Sequence, residues 1–186
     1  DAWGSRPEIP ESSVVRVNPR VSAALLAHDG GAGGAFGRTR IHGSVGTGIR
    51  PPDGFELAFT DNPELKPEKS VSFDAGVEQG LFGDRAVVDV TYFFNRFDDQ
   101  IVTLGGSMQN LSTYSSDNLK NSRAQGLEIG FRVNPTQSLM LSGQYSLVDT
   151  EVLALDGSSE ANSPYQVGQR LLRRPRHSAG YGVTYA

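Results

Sequence analysis

Along most of this chain apolar and polar residues alternate one by one, and the alternation recurs in seven segments separated by Gly, Pro, Asn, Asp and Ser. A repeat of two is the signature of strands with one apolar and one polar face. Residues 14–26 place Val15, Val17, Pro19, Val21, Ala23 and Leu25 on one side and Arg16, Asn18, Arg20 and Ser22 on the other. Residues 39–47 set Ile41, Gly43 and Val45 against Arg40, His42 and Ser44, and residues 70–79 set Val71, Phe73, Ala75 and Val77 against Ser72, Asp74 and Glu78. The same rule holds in 85–96 (Ala86, Val88, Val90, Tyr92, Phe94), 123–133 (Leu127, Ile129, Phe131, Val133), 138–148 (Leu139, Leu141, Tyr145, Leu147) and 178–185 (Ala179, Tyr181, Val183, Tyr185). No segment carries the 3.6-residue repeat of an amphipathic helix, so the expected fold class is all-β and antiparallel.

Alternation alone does not say whether the apolar face meets lipid or a soluble core. Strand length separates the two. These segments run to about 9–13 residues, longer than the five or six usual in soluble sheets and matching tilted strands that cross a bilayer. The connections 28–38, 48–69, 80–84, 97–119, 134–137 and 150–176 alternate between shorter and longer, as in barrels with short periplasmic turns and long outer loops. On this reading Arg16, Arg20, Asp74, Glu78, Arg85, Asp89, Glu128 and Arg132 line the interior. A lipid-facing charge at mid-depth costs about 2–4 kcal/mol, which explains why the apolar face has none away from strand ends. Tyr92, Phe93, Phe94 and Phe97 are expected to gather at one rim as an interfacial girdle or as the edge of a packed core.

Composition narrows the chemistry. In 186 residues there is no Cys, there are only three His, and the net charge is -4. Disulfides and thiolate metal sites are excluded, zinc-ligand spacing cannot be assembled, no cofactor is implied, and nucleic acid is a poor partner. No run of about 18 apolar residues offers a membrane-spanning helix, and DAWGSRPEIP at the start carries no signal-peptide pattern. Nucleophile elbow, phosphate loop, His-Glu-x-x-His and Ca-loop templates are all missing. Asp98 and Asp99 form a carboxylate pair that reads as solvated loop charge, and the Gly-rich tract 30–34 reads as a flexible turn. Arg170, Arg173, Arg174, Arg176 and His177 make one basic cluster, either a solvated loop base paired with carboxylates or an attractor of anionic lipopolysaccharide or an anionic ligand.

The stretch from Gly46 to Ser70, GTGIRPPDGFELAFTDNPELKPEKS, resembles the sequence that joins two strands in the β-barrel of TonB-dependent receptors. In that family a Gly-x-Gly, a proline-containing turn, a Phe-Glu-Leu-like segment and an Asn-Pro-x-Leu-x-Pro-Glu motif follow in this order. Here they are Gly46 and Gly48, then Pro51, then Phe55 and Glu56, then Asn62, Pro63, Leu65, Pro67 and Glu68. The similarity continues through SFDAGVEQGLFGDRAVVDVTYFFNRFDDQIV, through NSRAQGLEIGFR with Asn121, Gly126 and Glu128, and through LLRRPRHS with Arg174, Pro175 and His177. It covers the chain from about Val17 onward, and the ordered motifs are specific where a lone Gly-x-Gly is not. The prolines enforce extended or turn geometry before them, which gives these motifs a structural reading first. Gly126 is expected to admit close approach by whatever fills the lumen, which the resemblance identifies as a plug domain.

The resemblance implies that residues 1–186 are part of a C-terminal barrel domain, about seven strands of a wall of about 22. Plug and closing strands are expected to lie outside the chain. It further implies a Gram-negative outer-membrane transporter, not an enzyme. Its partners would be outer-membrane lipid and lipopolysaccharide, its own plug and remaining strands, TonB through an N-terminal part, and a chelate of the ferric siderophore or cobalamin class. Phe55, Phe59, Tyr114 and Tyr165 are the candidate ligand contacts, because aromatics in outer loops give large contact area at low entropic cost. A passive porin, a soluble all-β binding module and, more distantly, a barrel hydrolase are the rival readings.

Overall fold

The computed structural model describes residues 15–30, 34–58, 62, 65–108, 111–155 and 164–186, with the backbone alone for 55, 58, 103–108 and 111–115. Seven strands form one antiparallel sheet in sequence order: β1 (Arg20–His28), β2 (Phe36–Arg50), β3 (Glu68–Leu81), β4 (Ala86–Met108), β5 (Leu111–Val133), β6 (Leu139–Ala154) and β7 (His177–Tyr185). One short helix, α1 (Gly54–Ala58), lies between β2 and β3. No helix among the described residues is long and apolar enough to cross a membrane. Each expected strand is present, because alternation specifies both strand and register.

The register carries the two faces across the whole sheet. Leu25, Ile41, Val77, Val90, Ile129, Tyr145 and Ala179 stand opposite one another in a single row through all seven strands. One position along, Ala24, His42, Gly76, Thr91, Glu128, Ser146 and Ser178 make the matching polar row. On the apolar face Val21, Val45, Phe73, Phe131, Tyr181 and Val183 are all exposed, from 45% for Phe73 to 92% for Tyr181. Among the described residues no second layer covers them, whereas a water-soluble sheet buries its apolar face. From Ala86 to Phe94 the apolar side of β4 rises about 27 Å along the strand, or roughly 21 Å along the normal at a tilt of about 40°, against an apolar band of about 25 Å in membrane barrels. Arg96 and Asp98 continue the same face beyond that height, and Arg123 and Glu151 pair across β5 and β6 there.

The only hydrophobic cluster of buried residues among those described sits beyond this band, where Val102, Leu119, Val152, Tyr165 and Leu171 pack together with Leu155 at their edge. The connections 51–67 and 155–176 and the outer halves of β4 and β5 share that end of the sheet. At the opposite end, the turn after β3 holds Phe82, Gly83 and Asp84 at φ of 55°, 65° and 62°. The Asp84 carboxylate accepts from the Arg38 backbone N–H at 3.4 Å and pairs with the Arg38 guanidinium at 3.5 Å, tying this turn to β2.

Four expectations change. Residues 97–119 are not a loop: β4 runs to Met108 and β5 resumes at Leu111, paired continuously except at Asp99, which has a φ of 55°. The first strand begins at Arg20 rather than at 14, which is outside the described residues, so Arg16 precedes the wall. Arg85 belongs to the turn before β4. The four aromatics divide between faces, since Tyr92 and Phe94 share the apolar rows while Phe93 and Phe97 stand opposite Gly126 and Ser122 in polar rows. An odd–even separation along one strand forbids a single four-ring girdle.

Candidate functional site: the loop end of the wall

Arg50, the last residue of β2, organises the connection to β3. Its guanidinium meets both Glu56 oxygens at 3.1 Å and lies 3.6 Å from Glu68. Glu56 is buried and also accepts the Asp53 backbone N–H at 2.8 Å, while the Asp53 carboxylate accepts the Glu56 N–H at 2.8 Å. This reciprocal pair is a capping box, and it explains why a five-residue helix forms at Gly54–Ala58. Glu68 accepts the Ile101 N–H at 3.2 Å, which joins the connection to β4.

Asn118 on β5 fixes the other half. Its side-chain oxygen accepts the Lys66 N–H at 2.8 Å, and its amide donates to the carbonyls of Lys66 at 2.9 Å and Asp99 at 2.7 Å. A buried amide that satisfies both backbone groups of Lys66 replaces a missing strand pairing. Asn62 donates to the Ser116 carbonyl at 3.1 Å, and Leu65 is buried beside this contact region. Gln100 and Ser122, both buried, are joined by a 2.6 Å hydrogen bond from the Ser122 hydroxyl to the Gln100 amide oxygen.

The return from β6 to β7 packs on the same hairpin. Val152 N–H donates to the Gln169 carbonyl and the Gly168 N–H to the Val152 carbonyl, each at 2.8 Å, and Leu171 N–H reaches the Thr150 hydroxyl at 3.1 Å. Tyr165 is buried in the apolar cluster, and that burial raises its phenol from the ordinary value of 10.0 against the opposing pull of Arg173 and Arg174. Arg170 donates to the Val148 carbonyl at 2.7 Å and lies 3.9 Å from Asp149. His177 opens β7 on the apolar side, its Nδ1 2.7 Å from the Tyr145 hydroxyl.

On the polar face, charge is held by local pairs. His42 Nε2 lies 2.9 Å from Asp89, which also accepts the Thr91 hydroxyl at 2.8 Å. Ser44 connects Arg20, at 3.2 Å, to Asp74. No group of three or more His, Asp or Glu comes together as a metal cage among the described residues.

Of the four candidate ligand contacts, Phe59 and the side chains of Phe55 and Tyr114 lie outside the described residues. Tyr165 is 9% exposed and packs against Val102, Leu119, Val152 and Leu171, which leaves little of its ring to meet a ligand. Gly46 and Gly48 sit under the side chains of Arg20 and Ser70, where an added Cβ would come within 3.0 and 2.7 Å. Pro51 follows β2, Pro67 precedes β3, Pro63 is outside the described residues, and Pro175 is exposed before β7. Asn121 donates to Asp98, and Glu128 stands exposed in the polar row. Gly126 is approached by its own wall, since a Cβ there would be 1.9 Å from the Leu147 carbonyl and 2.9 Å from the Phe93 ring. Arg50, Asp53 and Asn118 are the organising residues that sequence reading did not single out. Only the Asp53-x-x-Glu56 spacing offered a local signal.

Comparison with known proteins agrees with this architecture. No curated protein matches the chain. Among solved structures, the copper transporter OprC aligns over 90% of this chain and 24% of its own, at 20% identity and a TM-score of 0.66. The siderophore receptor PirA from Acinetobacter baumannii aligns over 91% of this chain and 26% of its own, at 17% identity and a TM-score of 0.60. PirA from Pseudomonas aeruginosa aligns over 72% and 25%, at 20% identity and a TM-score of 0.54. The chain therefore spans about a quarter of the length of these structures. The family described as TonB dependent receptor-like, beta-barrel matches residues 5–186, and the chain belongs to that family.

Proposed function

We propose that this chain supplies membrane wall and outer-loop structure to a Gram-negative outer-membrane receptor that imports a scarce nutrient complex with energy delivered through TonB. The observation that carries the reading is the uncovered apolar face running through all seven strands, backed by a polar face of paired charges. Lipid covers the first, and a plug domain and water in the lumen meet the second. The ferric siderophore class is the leading cargo and cobalamin the second; a copper ion joins them because OprC, similar in fold, is a copper transporter. The motif residues Gly46, Glu56, Asn62, Leu65, Glu68 and Asn121 serve structure in this reading, holding the outer connection against the wall. No catalytic step is assigned.

The test is cellular. The intact gene product should fractionate with the outer membrane and migrate differently in gels before and after boiling. Its deletion should abolish growth on one ferric chelate, on cobalamin or under copper limitation, with dependence on TonB. TonB-independent uptake would favour a passive porin, and a soluble, cooperatively unfolding monomer in the absence of detergent would overturn the membrane reading.

A further inference from the structure

Between the β4 outer segment and the β6–β7 return lies a cavity of about 260 Å³, lined by Gln100, Val102, Tyr165, Leu171, Arg173 and Arg174. It has room for several waters at ~30 Å³ each. Two of its lining residues are buried, Tyr165 and Gln100, and the Gln100 amide is fixed by Ser122. Two arginines, Arg173 and Arg174, belong to the same lining. Three other arginines at this end have carboxylate partners: Arg50 has Glu56 and Glu68, Arg123 has Glu151, and Arg170 has Asp149. Arg173 and Arg174 have none among the described residues, and both remain exposed. Arg173 also holds a left-handed backbone, with a φ of 56°. That conformation is costly for a residue with a Cβ and persists only where its surroundings impose it.

We infer that Arg173 and Arg174 form a phosphate-type oxyanion site over this cavity. Two adjacent guanidinium forks present planar donors suited to bidentate oxyanion recognition. Both line the same cavity as the Tyr165 ring. Among the described residues, the lining holds no carboxylate to compete for them. Phosphate could arrive on a lipopolysaccharide headgroup or on a soluble ligand. The lipopolysaccharide source rests on the membrane placement proposed above, and His177, three residues after Arg174, opens β7 on the apolar side.

The experiment is calorimetric titration of the intact receptor in detergent with three probes: inorganic phosphate, lipopolysaccharide, and the same lipopolysaccharide after dephosphorylation. The wild type should bind phosphate, and an R173Q/R174Q double variant should bind about tenfold or more weakly. R173K/R174K should fall between them, because it keeps charge and loses the fork. R85Q, at the opposite end of the sheet, should match the wild type. Stronger binding to lipopolysaccharide that is lost on dephosphorylation assigns the site to lipid headgroups. Equal binding of free phosphate assigns it to a soluble oxyanion. Either result supports the site. Equal affinities for all probes in wild type and in a folded R173Q/R174Q protein, or in R173K/R174K if the Gln variant does not fold, would overturn it. Failure of nutrient uptake would leave this result unaffected, since binding is read on the purified receptor.

Discussion

At the residue scale, two glycines on the same strand separate a packing requirement from mere tolerance. A Cβ at Gly126 would collide with the Leu147 carbonyl, which cannot move without moving β6, whereas a Cβ at Gly130 would meet nothing within 4 Å. Gly126→Ala is therefore expected to destabilise the wall by about 1–3 kcal/mol, as overpacking does, and Gly130→Ala to stay within about 0.5 kcal/mol. Denaturant unfolding in detergent reads the difference. Arg50 offers a second test, because Arg50→Met takes the guanidinium partner from the buried Glu56 carboxylate while leaving the Asp53 N–H in place. Arg50 itself is 44% exposed, so the loss should fall between surface-pair and buried-pair limits, about 1–2 kcal/mol. It should appear as faster proteolysis within 51–67 before any loss of the barrel. Tyr165 contributes a pH effect of definite sign. Its phenol is raised on folding, so the folded form holds its proton to higher pH than the unfolded form. That stabilisation is complete below the ordinary phenol value and is lost as pH rises through the folded value. Alkaline titration above about pH 10 should loosen the 155–176 connection, and Tyr165→Phe should remove the step.

At the element scale, the two outer connections and the β4–β5 hairpin are tied by side chains that replace strand pairing. Asn118 alone satisfies three backbone groups on Lys66 and Asp99. Asn118→Leu should orphan them at about 1–3 kcal/mol for each group left buried, less where water enters. Hydrogen exchange should then rise at Lys66 and near residue 100 while 86–96 and 124–133 remain protected. The same element shows where sequence reading stopped. Strands 20–28, 68–81 and 86–96 were legible because lipid on one side and a polar lumen on the other impose a repeat of two. Beyond Asp98 both faces of the hairpin meet water or loops, and that contrast disappears. Residues 97–119 therefore read as loop although backbone pairing carries both strands through them. The helix at Gly54–Ala58 had its capping spacing in plain view, but the Arg50–Glu68 and Asn118–Lys66 contacts span sequence distances that no local pattern encodes. The motif from Gly46 to Glu68 thus identified the place, and the structure supplied the bonds that hold it.

At the scale of the whole molecule, one sheet has two solvents. Val90 lies at the centre of the apolar row that crosses all seven strands, and Gln144 lies on the opposite face beside Gly130 and Gly180. Both are strand-interior positions, so strand propensity and edge effects are shared, and only the medium outside each side chain differs. In lipid, Val90→Lys would carry the mid-depth cost of about 2–4 kcal/mol, while Gln144→Lys would place its ammonium in the aqueous lumen near Asp89 and Glu128 at little cost. Folding into lipid vesicles, followed by the gel shift of the unboiled barrel, measures this asymmetry directly. The expected outcome is a strong loss of folded protein for Val90→Lys with near-normal yield for Gln144→Lys. Equal effects would mean that the apolar face packs against protein, and the uncovered rows would then require a second sheet. Among the described residues the outer edges of β1 and β7 have no neighbouring strand, which sharpens the same point, because an open sheet with one greasy face and two free edges is an aggregation template in water. In a membrane, neighbouring barrel strands and lipid remove both hazards together, which is why a single pattern of alternation can specify fold, orientation and environment at once.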